Sequence, residues 1–356
     1  MRPHASVWAE VASATGRPTL AQRTTLRVGG AAQDWITATT EAELVDAVAR
    51  ADSRRTPVLL LGGGSNLLVS DEGFPGIVVE VATRGVVLDE EPDQVDLRIA
   101  AGEPWDDVVA LAVRRGWSGV EALSGIPGRV GATPVQNVGA YGQEIASVVR
   151  EVRALDRTTG RIATMAAPEC GFGYRTSRFK AQPDRWVVLE VGLRLGVGGL
   201  GIARYGQLAD ALGVQVGDVA GVHAIRDAVL GLRRGKAMVL DDADHDTWSA
   251  GSFFTNPVVD EETAARVPDA CPRYPAETGV KLSAAWLIEA SGIDRGFSLT
   301  PSAPAAISTR HTLAITNRGD ATAVDLLDLA RHIRAAVEGE FGIVLQPEVR
   351  LVGCSL

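Results

Sequence analysis

Sulfur and aromatic carbon are both scarce in this chain. Its 356 residues include three cysteines, Cys170, Cys271 and Cys354, widely spaced and odd in number. That pattern excludes a disulfide framework and a paired-cysteine zinc site, and it points to a reducing, cytoplasmic compartment. No run approaches the ~18 uninterrupted apolar residues of a membrane span. The opening "MRPHASVWAEVASATGRP" lacks the apolar centre of a secretory leader. Basic residues are outnumbered, 35 Lys and Arg against 44 Asp and Glu, for a formal charge of −9. Such a balance argues against nucleic acid or an acidic membrane as partner. An anionic small ligand stays open, because local arginines and helix N-termini override the mean field. The histidines His4, His223, His245, His311 and His332 sit near no serine elbow and form no ligand pair. Neither a Ser-His-Asp triad nor a metal site is expected.

The length exceeds what one hydrophobic core usually serves, so two or three domains are expected. "TEAELVDAVARAD" begins with Thr40 and carries Glu43 three residues on, the spacing of a capping box ahead of an amphipathic helix. "GIVVEVATRGVVL" and "QVDLRIAAG" read as strands, and "PWDDVVALAVRRG" as a helix with Pro104 at its start. "VVREVRALDRTTGRIATM" reads as a hairpin turning at Thr158, Thr159 and Gly160. "GDVAGVHAIRDAVLGLRRGK" reads as an amphipathic helix, followed by a compositional shift near residue 237. Helices over 283–291 and 321–339 and a closing strand, "IVLQPEVRLVG", complete an α+β pattern.

Five stretches carry candidate chemistry. "GGGSN" (62–66) lies between two apolar runs, where glycines let the backbone approach a ligand and successive amides can cradle an anion. It fits neither G-x-G-x-x-G nor a P-loop, and a glycine-rich hairpin turn is the plain alternative. "SGIPGRVGATPVQNVGAYG" (124–142) is too rich in glycine for a helix and too long for a turn, and Arg129 is its sole charge. Two such loops suit a long ligand such as a dinucleotide, with amides facing its pyrophosphate. "ECGFGYRTSRFK" holds Arg175 between glycine and aromatic residues, either a fork for a carboxylate or phosphate or a bridge between domains. "AGSFFTNP" sets Ser252 and Asn256 around Phe253 and Phe254. That is a strand end entering a turn, or a water-poor pocket with one placed proton donor. Glu348 in "QPEVRLVG" stands at the start of an apolar strand, where a rim position is the simpler reading. Tyr205, Lys236 and Tyr274 are polar-tipped candidates for phosphate or sugar contact.

Taken in order, "TTLRVGG", "LGGGSNLLV", "SGIPGRVGATPVQNVGAYG", "FGYRTSRFK", "AGSFFTNP", "VKLSAAWLIEASG" and "PEVRLVG" resemble the UDP-N-acetylenolpyruvoylglucosamine reductase (MurB) family over nearly the whole chain. The resemblance implies an α+β, three-domain, FAD-binding flavoprotein of the PCMH/vanillyl-alcohol-oxidase-like kind with a separate C-terminal substrate-binding domain. The implied divisions are 1–83 plus 342–356, 84–236, and 237–341. It implies non-covalent FAD on Gly62, Gly63, Gly64, Ser65, Asn66 and Leu67, and on Ser124, Ile126, Pro127, Gly128, Thr133, Asn137, Gly139, Ala140 and Tyr141. Arg175, Ser252 and Glu348 would be catalytic, with Ser252 the proton donor and the two phenylalanines excluding water. Tyr205, Lys236, Asn256 and Tyr274 would contact the substrate, Tyr205 as in the family's longer, tyrosine-bearing subclass. The implied reaction is NADPH-dependent reduction of UDP-N-acetylglucosamine enolpyruvate to UDP-N-acetylmuramate for cell-wall precursor synthesis. The chain departs from the family pattern at Thr255, where lysine is common, and in a longer segment before Ser252. His311 receives no role. Another FAD oxidase or dehydrogenase of this architecture and a non-catalytic nucleotide-sugar binder are the rival readings.

Overall fold

The computed structural model describes residues 18–356. His4 and most of the stretch searched for a leader lie outside the described residues. Strands Ala32–Ala38, Phe74–Val81 and Val58–Leu61 form a parallel sheet with Phe74–Val81 in the middle. Helix Glu41–Ser53 covers it. Thr40 accepts from the Glu43 amide while Glu43 reaches back to the Thr40 amide, the reciprocal cap its sequence announces. Leu44, Ala47, Val48 and Ala51 are the helix's buried stripe. A second sheet is antiparallel, in the order Arg161–Ala166, Val149–Asp156, Trp186–Val197, Gln94–Ala100, Val86–Glu90. The hairpin around residues 158–160 forms its edge. One apolar core runs between the two sheets, joining Leu44, Val48 and Val79 to Leu97, Val191 and Leu193. Ion pairs Arg153–Glu41 and Arg157–Asp52 tie helix to second sheet along the rim of that core.

The last third builds a separate core around helix Ala323–Phe341. Helix Ala284–Ala290, the hairpin of Ala305–Ile307 with Ile315–Asn317, and a small sheet of Val258–Val259, Val280–Leu282 and Arg273–Pro275 surround it. Leu26, Val28 and Leu68 from the N-terminal third enter this core, as do Leu345 and Val349. Buried Asn317 stitches the junction, its side-chain amide donating to the Leu26 carbonyl at 3.0 Å and its oxygen accepting from the amides of Gly319 and Ala321. Among the described residues no helix is long and apolar enough to cross a membrane, and the three cysteines are unbridged.

Two sequence expectations change. The closing strand is only Arg350–Val352, paired in parallel with Leu67–Val69. Upstream, Pro347 has no amide hydrogen to donate, so residues 346–348 run beside 253–255 as a broken ladder. Glu348 therefore precedes the strand. The stretch 62–66 is not a hairpin turn either, because Val58–Leu61 pairs in one sheet and Leu67–Val69 in another. The loop crosses between layers, which frees its backbone for other contacts.

Asn317→Ala is expected to lower the free energy of unfolding by roughly 2–4 kcal/mol, since it strands several buried partners. Thr40→Ala, an exposed cap, should lower it by about 1 kcal/mol. Urea titrations of the two variants check the order, and a larger loss for Thr40→Ala would contradict the account of the junction.

Candidate active site

The two glycine loops meet because their closest approach is glycine against glycine. A Cβ on Gly63 would come within 2.7 Å of Gly128 Cα, and Ser65 Oγ donates to the Pro127 carbonyl at 3.1 Å. Together they wall a cavity of about 740 Å³ where the parallel sheet, the antiparallel sheet and the C-terminal layer meet. Gly62, Gly63, Gly64, Ser65, Asn66, Leu67, Ile126, Pro127, Gly128, Thr133, Gly139, Ala140 and Tyr141 all line it. So do Arg175, Tyr205, Lys236, Ser252 and Glu348, which come from five other parts of the chain.

Four expected residues stand outside this lining. Ser124 is buried and donates to the Glu121 carbonyl. Asn137 is spent on Glu144, the Gly173 carbonyl and the Ala146 amide, which makes it scaffolding for the second loop. Asn256 accepts from the Ala284 amide at the start of a helix and faces an adjoining hollow that shares Arg175 and Lys180 with the main cavity. Tyr274 lines neither hollow, and Lys281 Nζ lies over both its ring and that of Tyr174. Phe253 and Phe254 do not face the cavity. Both are buried edge to face in the C-terminal core, so they anchor Ser252 rather than shield it.

Arg175 and Glu348 form the charged floor. Arg175 adopts a left-handed backbone, φ 52°, held by Lys180 Nζ donating to its carbonyl at 2.9 Å. Its Nη2 donates to the Gly139 carbonyl at 2.7 Å, and its Nε lies 3.0 Å from Glu348 Oε1. The Nε hydrogen is not aimed at that oxygen, so this contact is an ion pair without an aligned hydrogen bond. Burial raises the Glu348 carboxyl above its ordinary value, against the opposing pull of Arg175 and Lys180. Burial lowers Lys180 as well. Among the described residues no hydrogen bond engages the Ser252 hydroxyl, and the backbone next to it is pinned by Glu348 N donating to the Phe253 carbonyl at 2.8 Å.

A second basic group lies across the cavity. Lys236 donates to Gln207 and lies over the Tyr141 ring, and burial beside Arg233 lowers its ammonium. Tyr141 and Tyr205 meet edge to face at 6.0 Å. Arg233, which the sequence reading passed over, is buried and gives one donor to the Met238 carbonyl. Its signal was present: Ile225, Val229 and Arg233 fall four residues apart, on the buried face of helix Val222–Gly235. His311 also lines the cavity, and burial with Lys236 and Arg233 nearby pushes its imidazole down to about 4.

The cavity is prepared for an elongated anion. Its charged lining is Arg129, Arg175, Lys180, Arg233, Lys236 and Arg350 against Glu348 alone. Six buried side-chain atoms lack partners among the described residues, and four of them belong to residues lining it: Thr25 Oγ1, Arg175 Nε, Arg233 Nε and His311 Nε2. Unmade buried hydrogen bonds cost ~1–3 kcal/mol each, so their concentration here marks where a polar ligand fits. A dinucleotide with its phosphates at the glycine amides matches both wall and charge. No group of metal-ligating side chains occurs among the described residues.

A family model described as an FAD binding domain matches residues 33–166, and cavity and match together define an FAD-binding oxidoreductase. A second model, the C-terminal domain of UDP-N-acetylenolpyruvoylglucosamine reductase, matches residues 242–352. The reductase of that name from Streptomyces avermitilis is 52% identical over 350 residues, covering 95% of this chain and 94% of its own. That from Salinispora arenicola is 51% identical over 348 residues, with 95% of each covered. The crystal structure of the Thermus caldophilus enzyme superposes with a TM-score of 0.63 at 27% identity, covering 95% of this chain and 98% of that one. The chain belongs to the UDP-N-acetylenolpyruvoylglucosamine reductase family.

The His311 environment sets a pH dependence. An unfolded chain binds the imidazole proton near 6.5 and the folded protein only near about 4, so acid favours unfolding across that window. The group should cost the fold up to roughly 3 kcal/mol as pH falls from 6.5 towards 4. Urea unfolding at a series of pH values should show this loss in the native protein and a smaller one in His311→Gln. Superimposable pH profiles would contradict it.

Proposed function

We propose that this chain reduces UDP-N-acetylglucosamine enolpyruvate to UDP-N-acetylmuramate with NADPH, supplying a precursor of peptidoglycan. The observation that carries the reading is one cavity lined by both glycine loops and by Ser252, Arg175 and Glu348. Held non-covalently against the loops, FAD would supply the hydride chemistry, taking hydride from NADPH and passing it to the enolpyruvyl group. NADPH and the sugar nucleotide would use the same cavity in turn.

Each side chain then has a physical task. Hydride addition at the terminal carbon leaves negative charge on the neighbouring carbon and its carboxylate. Arg175, anchored through Nη2, meets that charge with an Nε that has no other hydrogen bond. Burial raises the Glu348 carboxyl, and in its protonated form it would donate to the carboxylate instead of repelling it. Ser252 delivers the proton to carbon. A hydroxyl is a weak acid, but a carbanion is a strong base, and no protein partner holds that hydroxyl back. Tyr205 and Lys236 face the diphosphate. Asn256 supports the site by fixing the start of helix Ala284–Ala290, and Tyr274 contributes through Lys281 and Tyr174.

The same reading divides the chain at 1–83 with 342–356, 84–236 and 237–341. The pairing of Arg350–Val352 with Leu67–Val69 supports joining the C-terminus to the first unit. It also sets the enzyme in the cytoplasm, in keeping with three unbridged thiols.

Ser252→Ala is expected to keep anaerobic flavin bleaching by NADPH at the native rate. It should lose reoxidation by UDP-N-acetylglucosamine enolpyruvate by roughly 10²–10⁴-fold. Stopped-flow measurement of each half-reaction separates the outcomes. Equal loss of both would remove the proton-donor role.

A further inference from the structure

Arg129 is the one charged side chain of the second glycine loop, and three carboxylates near it favour its charge without pairing with it. Its backbone is rigidly placed: it bridges Pro104, the Val130 amide donates to the Glu103 carbonyl at 2.9 Å, and the Trp105 amide donates to the Gly128 carbonyl at 3.1 Å. The side-chain stem lies against the first glycine loop, where a Cβ on Gly62 would stand 3.3 Å from Arg129 Cγ. The residue thus spans the seam of the two loops and lines the cavity. No hydrogen bond or ion pair engages the guanidinium among the described residues. The carboxylates around it are Glu80, Glu103 and Asp107. Glu80 is paired with Arg23 and Glu103 with Arg84, and Asp107 lies beyond ion-pair reach. Partial burial and the like charge of Arg84 both work against the guanidinium's own charge, and a bound anion would relieve both.

We infer that Arg129 is a phosphate-binding residue of this chain, its guanidinium clamping the FAD pyrophosphate where the two glycine loops cross. Backbone amides at this seam offer one donor each and no net charge. A guanidinium adds a planar fork that matches two phosphate oxygens at once. It also carries a full positive charge into a protein whose net charge is −9, so it should set how firmly the dinucleotide is retained. The inference rests on FAD being the ligand of this cavity.

The test is FAD retention by the purified, flavin-loaded full chain, read as the rise in flavin fluorescence on dilution, for the native protein, Arg129→Ser and Arg129→Lys. At low salt, Arg129→Ser should raise the dissociation constant by ~10-fold or more, and Arg129→Lys by less, because lysine keeps the charge but loses the fork. The gap between native and Arg129→Ser should narrow as sodium chloride rises, and the visible flavin bands should coincide in all three proteins. Equal dissociation constants at every salt concentration would overturn the inference while leaving flavin binding intact. So would a loss insensitive to salt and accompanied by shifted flavin bands, which would place Arg129 at the ring or in folding. A native chain that holds no FAD would sink the cofactor reading and this inference with it.

Discussion

Three hydrogen bonds around Glu348 hold the functional centre together. The Asn66 side chain donates to the Glu348 carbonyl at 3.2 Å, the Arg350 amide donates to the Asn66 carbonyl at 3.0 Å, and the Glu348 amide donates to the Phe253 carbonyl at 2.8 Å. Through them the first glycine loop, the returning C-terminal strand and the Ser252 segment become one rigid body, although 282 positions separate Asn66 from Glu348. Apolar anchoring stands behind each segment. Leu68 and Val349 enter the C-terminal core together with Phe253 and Phe254, so the loop and the Ser252 segment cannot drift apart without opening that core.

Electrostatics follow from this closure. An acidic chain encloses a cavity whose lining is mostly cationic, and each buried cation carries a desolvation cost that a ligand's charge offsets. The opposed shifts of Glu348 and Lys180 express one cause, burial, acting on an acid and on a base. His311 is driven neutral by the same burial beside two cations, so it offers hydrogen bonding without adding charge. The unpartnered buried atoms are thus concentrated where ligand atoms can answer them, with only Arg27 Nε and Trp248 Nε1 elsewhere among the described residues.

Local signals carried far in the sequence. The Thr40 and Glu43 cap, the 149–166 hairpin and the helix after Pro104 were legible because each depends on neighbours a few residues away. The glycine loops were legible as candidate ligand walls beside the plainer reading of structural turns, because so many small residues let a backbone approach a ligand. What escaped depends on long-range packing. Nothing local tells that Phe253 and Phe254 turn away from the cavity, or that Asn137 spends its amide on loop scaffolding. The proline that breaks the final strand is visible in "QPEVRLVG", yet its consequence, Glu348 placed ahead of the strand and against Phe253, needs the partner segment. Arg233 sits in the basic run that closes this amphipathic helix, and its spacing from Ile225 and Val229 places it on the buried face.

The central claim is that a single cavity serves both the electron donor and the sugar nucleotide, each in the other's absence. Initial-rate kinetics with NADPH and UDP-N-acetylglucosamine enolpyruvate varied together test it most directly. Parallel double-reciprocal lines, with each substrate inhibiting at high concentration by competing for the other's enzyme form, are the predicted result. Intersecting lines, the mark of a complex holding both substrates at once, would contradict it.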